Sequence, residues 1–581
     1  MTDVEALPSE IPMLNAFDAA SDKRGQTANS AVHFFPEAFG LAGEKIFGRQ
    51  SAGAGFLRAF FRHGGVDTLY CCTPSEEYFN QFRQIVTQCQ STTPTRWISY
   101  ANLGQLTAPG CLYQHDPFLA DLAWQRRRLG SAAASLCGVT HTLCTGRIMD
   151  AIGALVIAPL EHWDALVCTS QTAKDVVGNV LRSYLDYLRS RGGREFRVPI
   201  ELPIIPLGVD CDSFDRPDAG SVRAQLRAEL GTGIDDVALL YVGRLSFYAK
   251  AHPLAMYTAA EEVAKRTGKR LHLLHFGWFS NQDQKSQFAQ AARQLCPSVV
   301  AHFLDERQDW SVAIWHAADI FVSLSDNLQE TFGLTPVEAM AAGLPQVVTD
   351  WNGYRDTVRH GIDGFRVPTL MPPGGMGREL ISRYALGIDN YDSYVGNAIQ
   401  SIAVDFACCV AALEKLVSNQ ELRTRMGRSG RERARAVFDW RVVIGAYQEL
   451  WTELAARRAA SQGVARTGHP LREDPFAVFA GYATCTLDAN CIVHLGPNAA
   501  MARLREISAM QMNAIALHLL CQEQDRAALI EAIDREGPIL IGDLLEWIPA
   551  ERHAIVLRTL GWLAKMDVIR VAGLDRIVGS V

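Results

Sequence analysis

The stretch Val322 to Pro368, VSLSDNLQETFGLTPVEAMAAGLPQVVTDWNGYRDTVRHGIDGFRVP, decides the fold. An apolar strand ends at Ser325, a loop delivers Glu330, and Thr331–Phe332–Gly333–Leu334 turns into a helix that begins near Pro336 and carries Glu338. Thr335 ahead of a first-turn proline is a helix-start signal. A helix opened by a glycine presents unpaired backbone N–H groups and a partial positive charge, which suits a diphosphate. Glu330 and Glu338 flank that anion site, where carboxylates accept hydrogen bonds from sugar hydroxyls. Alone, two common glutamates would mean little.

Working outward, the run LLYVGRLSFYAKAHP (239–253) places Gly243 and Arg244 just past a strand and Lys250 in the loop before the next helix. In an open parallel sheet, ligands bind beyond the carboxyl ends of the strands, so these cations belong in the crevice where Glu330 emerges. The strand and helix patterns around them alternate. Strands are expected at Val237–Val242, Arg270–Phe276, Val299–Leu304, Ile320–Leu324 and Gln346–Thr349, with helices at His252–Arg266, Gln282–Leu295, Ser311–Ala317 and Pro336–Ala342. Upstream, Ala31–Phe35, Trp97–Tyr100, Ala134–Val139 and Ala165–Thr169 read as strands, with helices at Phe118–Arg128 and Ala173–Arg189. Two Rossmann-like parallel-sheet domains in tandem follow from this alternation.

The 581 residues leave room for more than these two domains. Residues 1–30 are polar and unpatterned, a loose leader without the basic and apolar blocks of a signal peptide. The first domain is expected over 31–215, the second over 216–435 with an insertion at about 370–405 opened by a Pro/Gly-rich break, and a crossover helix over 436–458. After a polar linker, Ala460 to about Arg472, residues 459–581 form a mainly helical extension. Its helical patterns at Met510–Ile533, Gly542–Trp547 and Glu551–Lys565, followed by strands at Val568–Val571 and Asp575–Val578, have the order of a winged helix. Residues 501–581 carry nine Lys or Arg against eleven Asp or Glu, so the extension is read as an interaction or homodimerisation module rather than a nucleic-acid binder.

With 56 basic and 63 acidic side chains, the net charge of −7 argues against a general polyanion binder. No uninterrupted apolar run is long enough for a membrane span. The 14 cysteines lie scattered and form no CxxC pair, which fits buried thiols in a reducing, cytoplasmic setting.

The run GRLSFYAK, followed by ETFGLTPVEAMAAGLPQVVTDWNG and GIDGFRVP, resembles the retaining glycosyltransferases of the two-domain GT-B fold, family four of the sequence classification, the group 1 type. ALVCTSQTAKDVV (165–177), IPLGVDCDSF (205–214) and FDWRVVIGAYQELW (438–451) are similar to that family's helix-entry, interdomain and closing-helix segments. The likeness is good over Ala165–Trp451, weak over Ala31–Asp164 and absent from the extension. It implies that Arg244 and Lys250 bind the donor diphosphate and stabilise the leaving nucleoside diphosphate. Glu330 would contact the donor sugar near the reacting carbon and Glu338 would hold the ribose hydroxyls, while Gly243 and the backbone of Phe332, Gly333, Leu334 and Thr335 line the donor site.

In similar enzymes a histidine at a strand end touches the donor sugar, a role that falls to His141, with His115 a weaker rival. The glycine-rich stretch GRQSAGAGF (48–56) is read as a loop between the first strand and a helix Leu57–Arg62, offering amides to donor or acceptor. Asp210–Cys211–Asp212 spells a metal-binding DxD but lies in the interdomain segment, so it is read as coincidence. No metal and no cofactor are expected, only a nucleotide diphosphate sugar as donor substrate. The reaction implied is transfer of a hexose to an acceptor hydroxyl, on a protein, glycan or small molecule, with retention of configuration. The competing reading is a noncatalytic sugar-nucleotide sensor whose C-terminal module signals.

Overall fold

The computed structural model of the chain describes residues 28–40, 48–192, 196–305, 307, 310–465 and 467–573. The leader before residue 28 and the strand expected at Asp575–Val578 lie outside the described residues. The chain divides into two compact units, Met1–Gly468 and His469–Val581.

The first unit holds two six-stranded parallel sheets. One is built from β1 (Ala31–His33), β2 (Leu69–Cys72), β3 (Thr95–Ile98), β4 (Cys111–Gln114), β5 (Ser135–Val139) and β6 (Ala165–Val167), in the order β3-β2-β1-β4-β5-β6. The other takes β7 (Val237–Val242), β8 (Leu271–Phe276), β9 (Val300–Phe303), β10 (Ile320–Ser323), β11 (Gln346–Thr349) and β12 (Gly364–Val367), in the order β12-β11-β10-β7-β8-β9. Both orders reverse direction beside their first strand, which opens a crevice at the carboxyl ends, between β1 and β4 and between β7 and β10. The central strands are apolar on both faces because helices cover both faces.

The carboxyl edges of the two sheets face each other. Ser170, just past β6, donates from Oγ to the Thr331 carbonyl past β10 at 2.6 Å, and the Gln171 amide donates to Asp356 past β11 at 2.6 Å. The chain crosses between the domains twice, and the crossings pair: the Val209 amide donates to the Phe438 carbonyl at 2.8 Å and the Trp440 amide to the Val209 carbonyl at 3.1 Å. The helix Trp440–Ala459 then returns to the first domain, burying Trp440, Val443, Ile444, Tyr447, Trp451 and Leu454 in its core beside Phe56, Phe60 and Tyr113.

Several expectations need correction. The glycine-rich stretch is not a loop; it lies inside the helix Gly48–His63. Its glycines serve packing: a Cβ on Gly53 would sit 2.5 Å from His115 Nε2, and one on Gly55 would sit 2.8 Å from the Trp440 ring. The helix after Glu330 starts at Leu334, a residue pair before Pro336. The 369–404 excursion is bounded by a short antiparallel pair, β13 (Thr369–Leu370) and β14 (Ala403–Val404), and contains the helices Arg378–Ala385 and Tyr391–Ile399. The polar linker is strapped to the first domain along its first half, where Val464 and Ser131 exchange hydrogen bonds and the Thr467 amide donates to the Arg127 carbonyl.

In the second unit, the pattern read as one helix over Met510–Ile533 is broken into Gln511–Ala514, a short 3-10 turn and Glu523–Glu536, with Leu520 and Cys521 buried at the break. The helices Ile541–Glu546 and His553–Lys565 follow. An unexpected strand, β15 (Ile492–Leu495), pairs antiparallel with both β16 (Ile539–Leu540) and β17 (Ile569–Val571). On the helix His553–Lys565 and the turn before it, Arg552 pairs with Asp525 at 2.6 Å and Arg558 donates to the Leu519 carbonyl at 3.4 Å.

Candidate functional site

The site is built on loops that leave the carboxyl ends of β7 and β10. Gly243 follows β7, with a φ of +144° that is open to glycine and costly for other residues. Gly277 follows β8 so close beside it that a Cβ there would lie 1.9 Å from the Gly243 carbonyl. This close crossing turns Arg244 out of the sheet. Its guanidinium donates to the Ala249 carbonyl at 3.1 Å and lies over the Trp278 ring. The loop then brings Lys250 to Glu330, with which it forms a short ion pair.

Glu330 also accepts from the Gly333 amide through Oε1 at 3.0 Å, and so closes the first turn of the nine-residue helix Leu334–Ala342. The carboxylate therefore sits between a lysine and a helix N-terminus, the two groups that together would hold an anion. Gly333 itself has φ +86°, and a Cβ on it would fall 2.1 Å from the Tyr354 ring. Tyr354 is fully buried and hydrogen bonded to Ser323 at 2.9 Å, so it fixes the loop from below. Phe332 points its ring into the core against Phe438, leaving only its backbone to the site.

Glu338 projects from the second turn of the same helix. Burial pushes its carboxyl up to about 7, against the opposing pull of Lys250. Asp326, buried at the end of β10 and accepting from the His252 amide at 3.3 Å, is raised to about 8, again by burial. Sequence reasoning passed over Asp326; its signal is the acid in the first loop residues past an apolar strand.

On the facing domain His141 is buried past β5, packed 4.3 Å ring to ring against His115, and its Nε2 has no hydrogen-bond partner. Burial, then the neighbouring His115, lower its pKa well below the usual value, so it is neutral at pH 7. His115 is satisfied by Tyr113 at 3.2 Å and the Arg49 carbonyl at 3.0 Å, the pattern of a structural imidazole. No hydrogen bond or ion pair among the described residues joins His141 to Arg244, Lys250, Glu330 or Glu338.

Asp210 and Asp212 lie at the crossing, away from this cluster. Asp210 pairs with Arg62 at 3.6 Å, and Asp212 with Arg435 at 3.4 Å and with Arg441. Among the described residues no group of three His, Cys, Asp or Glu could hold a metal ion, and no helix is long and apolar enough to cross a membrane.

Residues 236–381, which contain Arg244, Lys250, Glu330 and Glu338, match the family of glycosyl transferases group 1. The chain is 27% identical over 274 residues to a D-inositol 3-phosphate glycosyltransferase of Geodermatophilus obscurus, covering 46% of this chain and 51% of the relative. It is 31% identical over 267 residues to D-inositol 3-phosphate glycosyltransferase 2 of Catenulispora acidiphila, covering 43% of this chain and 59% of the relative. It thus spans about half the length of the curated relatives it matches. A solved structure of Anabaena HepE in complex with UDP aligns with 71% of this chain and 98% of its own, at 17% identity and a TM-score of 0.45.

Proposed function

We propose, from the premise that residues 236–381 are a group 1 glycosyl transferase domain, that this chain transfers a hexose from a nucleotide diphosphate sugar to an acceptor hydroxyl with retention of configuration. One observation carries the reading: Lys250 and the Gly333 amide converge on Glu330 at a helix N-terminus, with Glu338 on the same helix. Arg244, Lys250 and the first-turn amides would bind the diphosphate and stabilise it as it leaves. Glu330, released from Lys250 by the incoming phosphate, would accept from the donor sugar, and Glu338 from the ribose. His141 is the first domain's contribution. It is neutral, so Nε2 either donates to or accepts from a sugar hydroxyl. The resemblance of the Arg244–Lys250 and Glu330–Glu338 stretches to retaining enzymes favours same-face displacement, in which the departing phosphate would take the acceptor proton. The cationic cluster would neutralise the diphosphate without a metal.

The experiment is a thermal-shift screen of uridine, guanosine and adenosine diphosphate sugars, followed by transfer assays with and without EDTA and assignment of the product anomer. A ligand at a hundred times its Kd adds about 2.7 kcal/mol. Lys250→Ala and Glu330→Ala should abolish transfer. Binding by the unaltered chain without turnover toward any acceptor or water would favour the sensor instead, and an inverted product would end the retaining assignment.

A further inference from the structure

The 369–404 excursion adds no strand to either six-stranded sheet. Leu370 pairs with Ala403, so its two ends already meet, and the helix Arg378–Ala385 buries none of its residues. What it does contact is specific. Tyr391 hydroxyl and Cys144 Sγ are hydrogen bonded at 3.2 Å, and the Gly146 amide donates to the Tyr384 hydroxyl at 3.4 Å. Cys144 belongs to the loop past β5 that carries His141, and Gly146 opens the helix Gly146–Ala154 that follows it. Cys144, Tyr394 and Val395 form a separate apolar cluster, with Tyr384 stacked 5.0 Å from Tyr394.

The same cluster includes Leu328, from the loop that leads to Glu330. Gly396 lies against Tyr248, where a Cβ would come within 3.0 Å of the tyrosine Cβ, and Tyr248 stands between Arg244 and Lys250. The Tyr391 phenol lies within electrostatic reach of Arg244. One excursion of the second domain therefore touches all three loops that bear the candidate site residues, one of them across the domain boundary.

We propose that this excursion is a clasp, with Tyr384 and Tyr391 as positioning residues that hold the His141 loop of the first domain in register with the Arg244–Lys250 and Glu330 loops of the second. It rests on the transferase reading for its catalytic consequence and on geometry alone for its structural one. A loop held at both ends of the reacting centre matters because small misplacements there cost large factors in rate.

The test compares the full chain with two variants: one in which residues 371–402 are replaced by an Asn-Gly turn joining Leu370 to Ala403, and the double variant Tyr384→Phe, Tyr391→Phe. Hydrogen exchange should rise about tenfold in residues 140–154 of both variants while the strands of both sheets keep their protection. Transfer kcat should fall roughly tenfold with donor KM within about threefold, as expected for lost register rather than lost binding. Unchanged exchange at 140–154, or an unchanged kcat, overturns the clasp. If the shortened chain does not fold, the double variant decides on the same two readouts. If the unaltered chain binds no nucleoside diphosphate, the transferase reading fails, and exchange at 140–154 still decides whether the excursion holds that loop.

Discussion

Glu338 gives the site a pH dependence whose sign is fixed. Its carboxyl is raised from 4.5 to about 7 by burial, so the folded protein without donor favours the neutral form. Stability from this group is complete below pH 4.5 and is lost as pH rises through about 7. Donor binding runs the other way if ribose hydroxyls need a carboxylate: affinity should drop as pH falls below about 7, by up to about tenfold per unit. Titrating a nucleoside diphosphate sugar between pH 5.5 and 8.5 checks this, and Glu338→Gln should flatten the curve. Asp326, raised to about 8, is the competing titrating group, and Asp326→Asn isolates it. At Asp212 the expectation is near silence. Its pairs to Arg435 and Arg441 are exposed, so Asp212→Ala should cost under about 1 kcal/mol and leave transfer intact, read by denaturant unfolding and initial rates. The placement of Arg244, Lys250 and Glu330 in loops past apolar strands, and of Glu338 on the following helix, could be read from the strand and helix pattern. The apposition of His141 with His115 could not, since it depends on β4 and β5 lying side by side in the sheet, a pairing that local patterns do not show.

At the scale of elements, the Thr331–Leu334 turn tolerates little change. Gly333→Ala forces a side chain into φ +86° and drives its Cβ within 2.1 Å of a buried tyrosine ring. It should lose at least about 1–3 kcal/mol of stability and most donor affinity, visible together in a thermal-unfolding series with and without nucleotide. Continuous apolar runs such as Val237–Val242 could be read directly, whereas β2 and β4 were missed because LYCC and CLYQ are four residues of mixed character, too short to show a period. Gly48–Phe56 misled for the opposite reason: glycine frequency signals a loop, but here the missing side chains make room for His115 and Trp440, partners no local pattern reveals. β12 hid inside GIDGFRVP, where the glycines announce a turn more loudly than four residues announce a strand.

For the whole molecule, the separation into Met1–Gly468 and His469–Val581 predicts two calorimetric transitions, of which only the larger should shift with nucleotide. A chain ending at Gly468 should show that transition alone, and one cooperative transition in the full chain would refute the independence. The returning helix Trp440–Ala459 imposes a further constraint, this time on the order of events during synthesis. Trp440, Tyr447 and Trp451 complete a core whose other half, Phe56, Phe60 and Tyr113, leaves the ribosome more than three hundred residues earlier. At about 5–20 residues per second, the nascent first domain waits tens of seconds with an aromatic face uncovered. Chaperone occupancy of ribosome-bound chains should accordingly peak before Trp451 emerges and fall once it has.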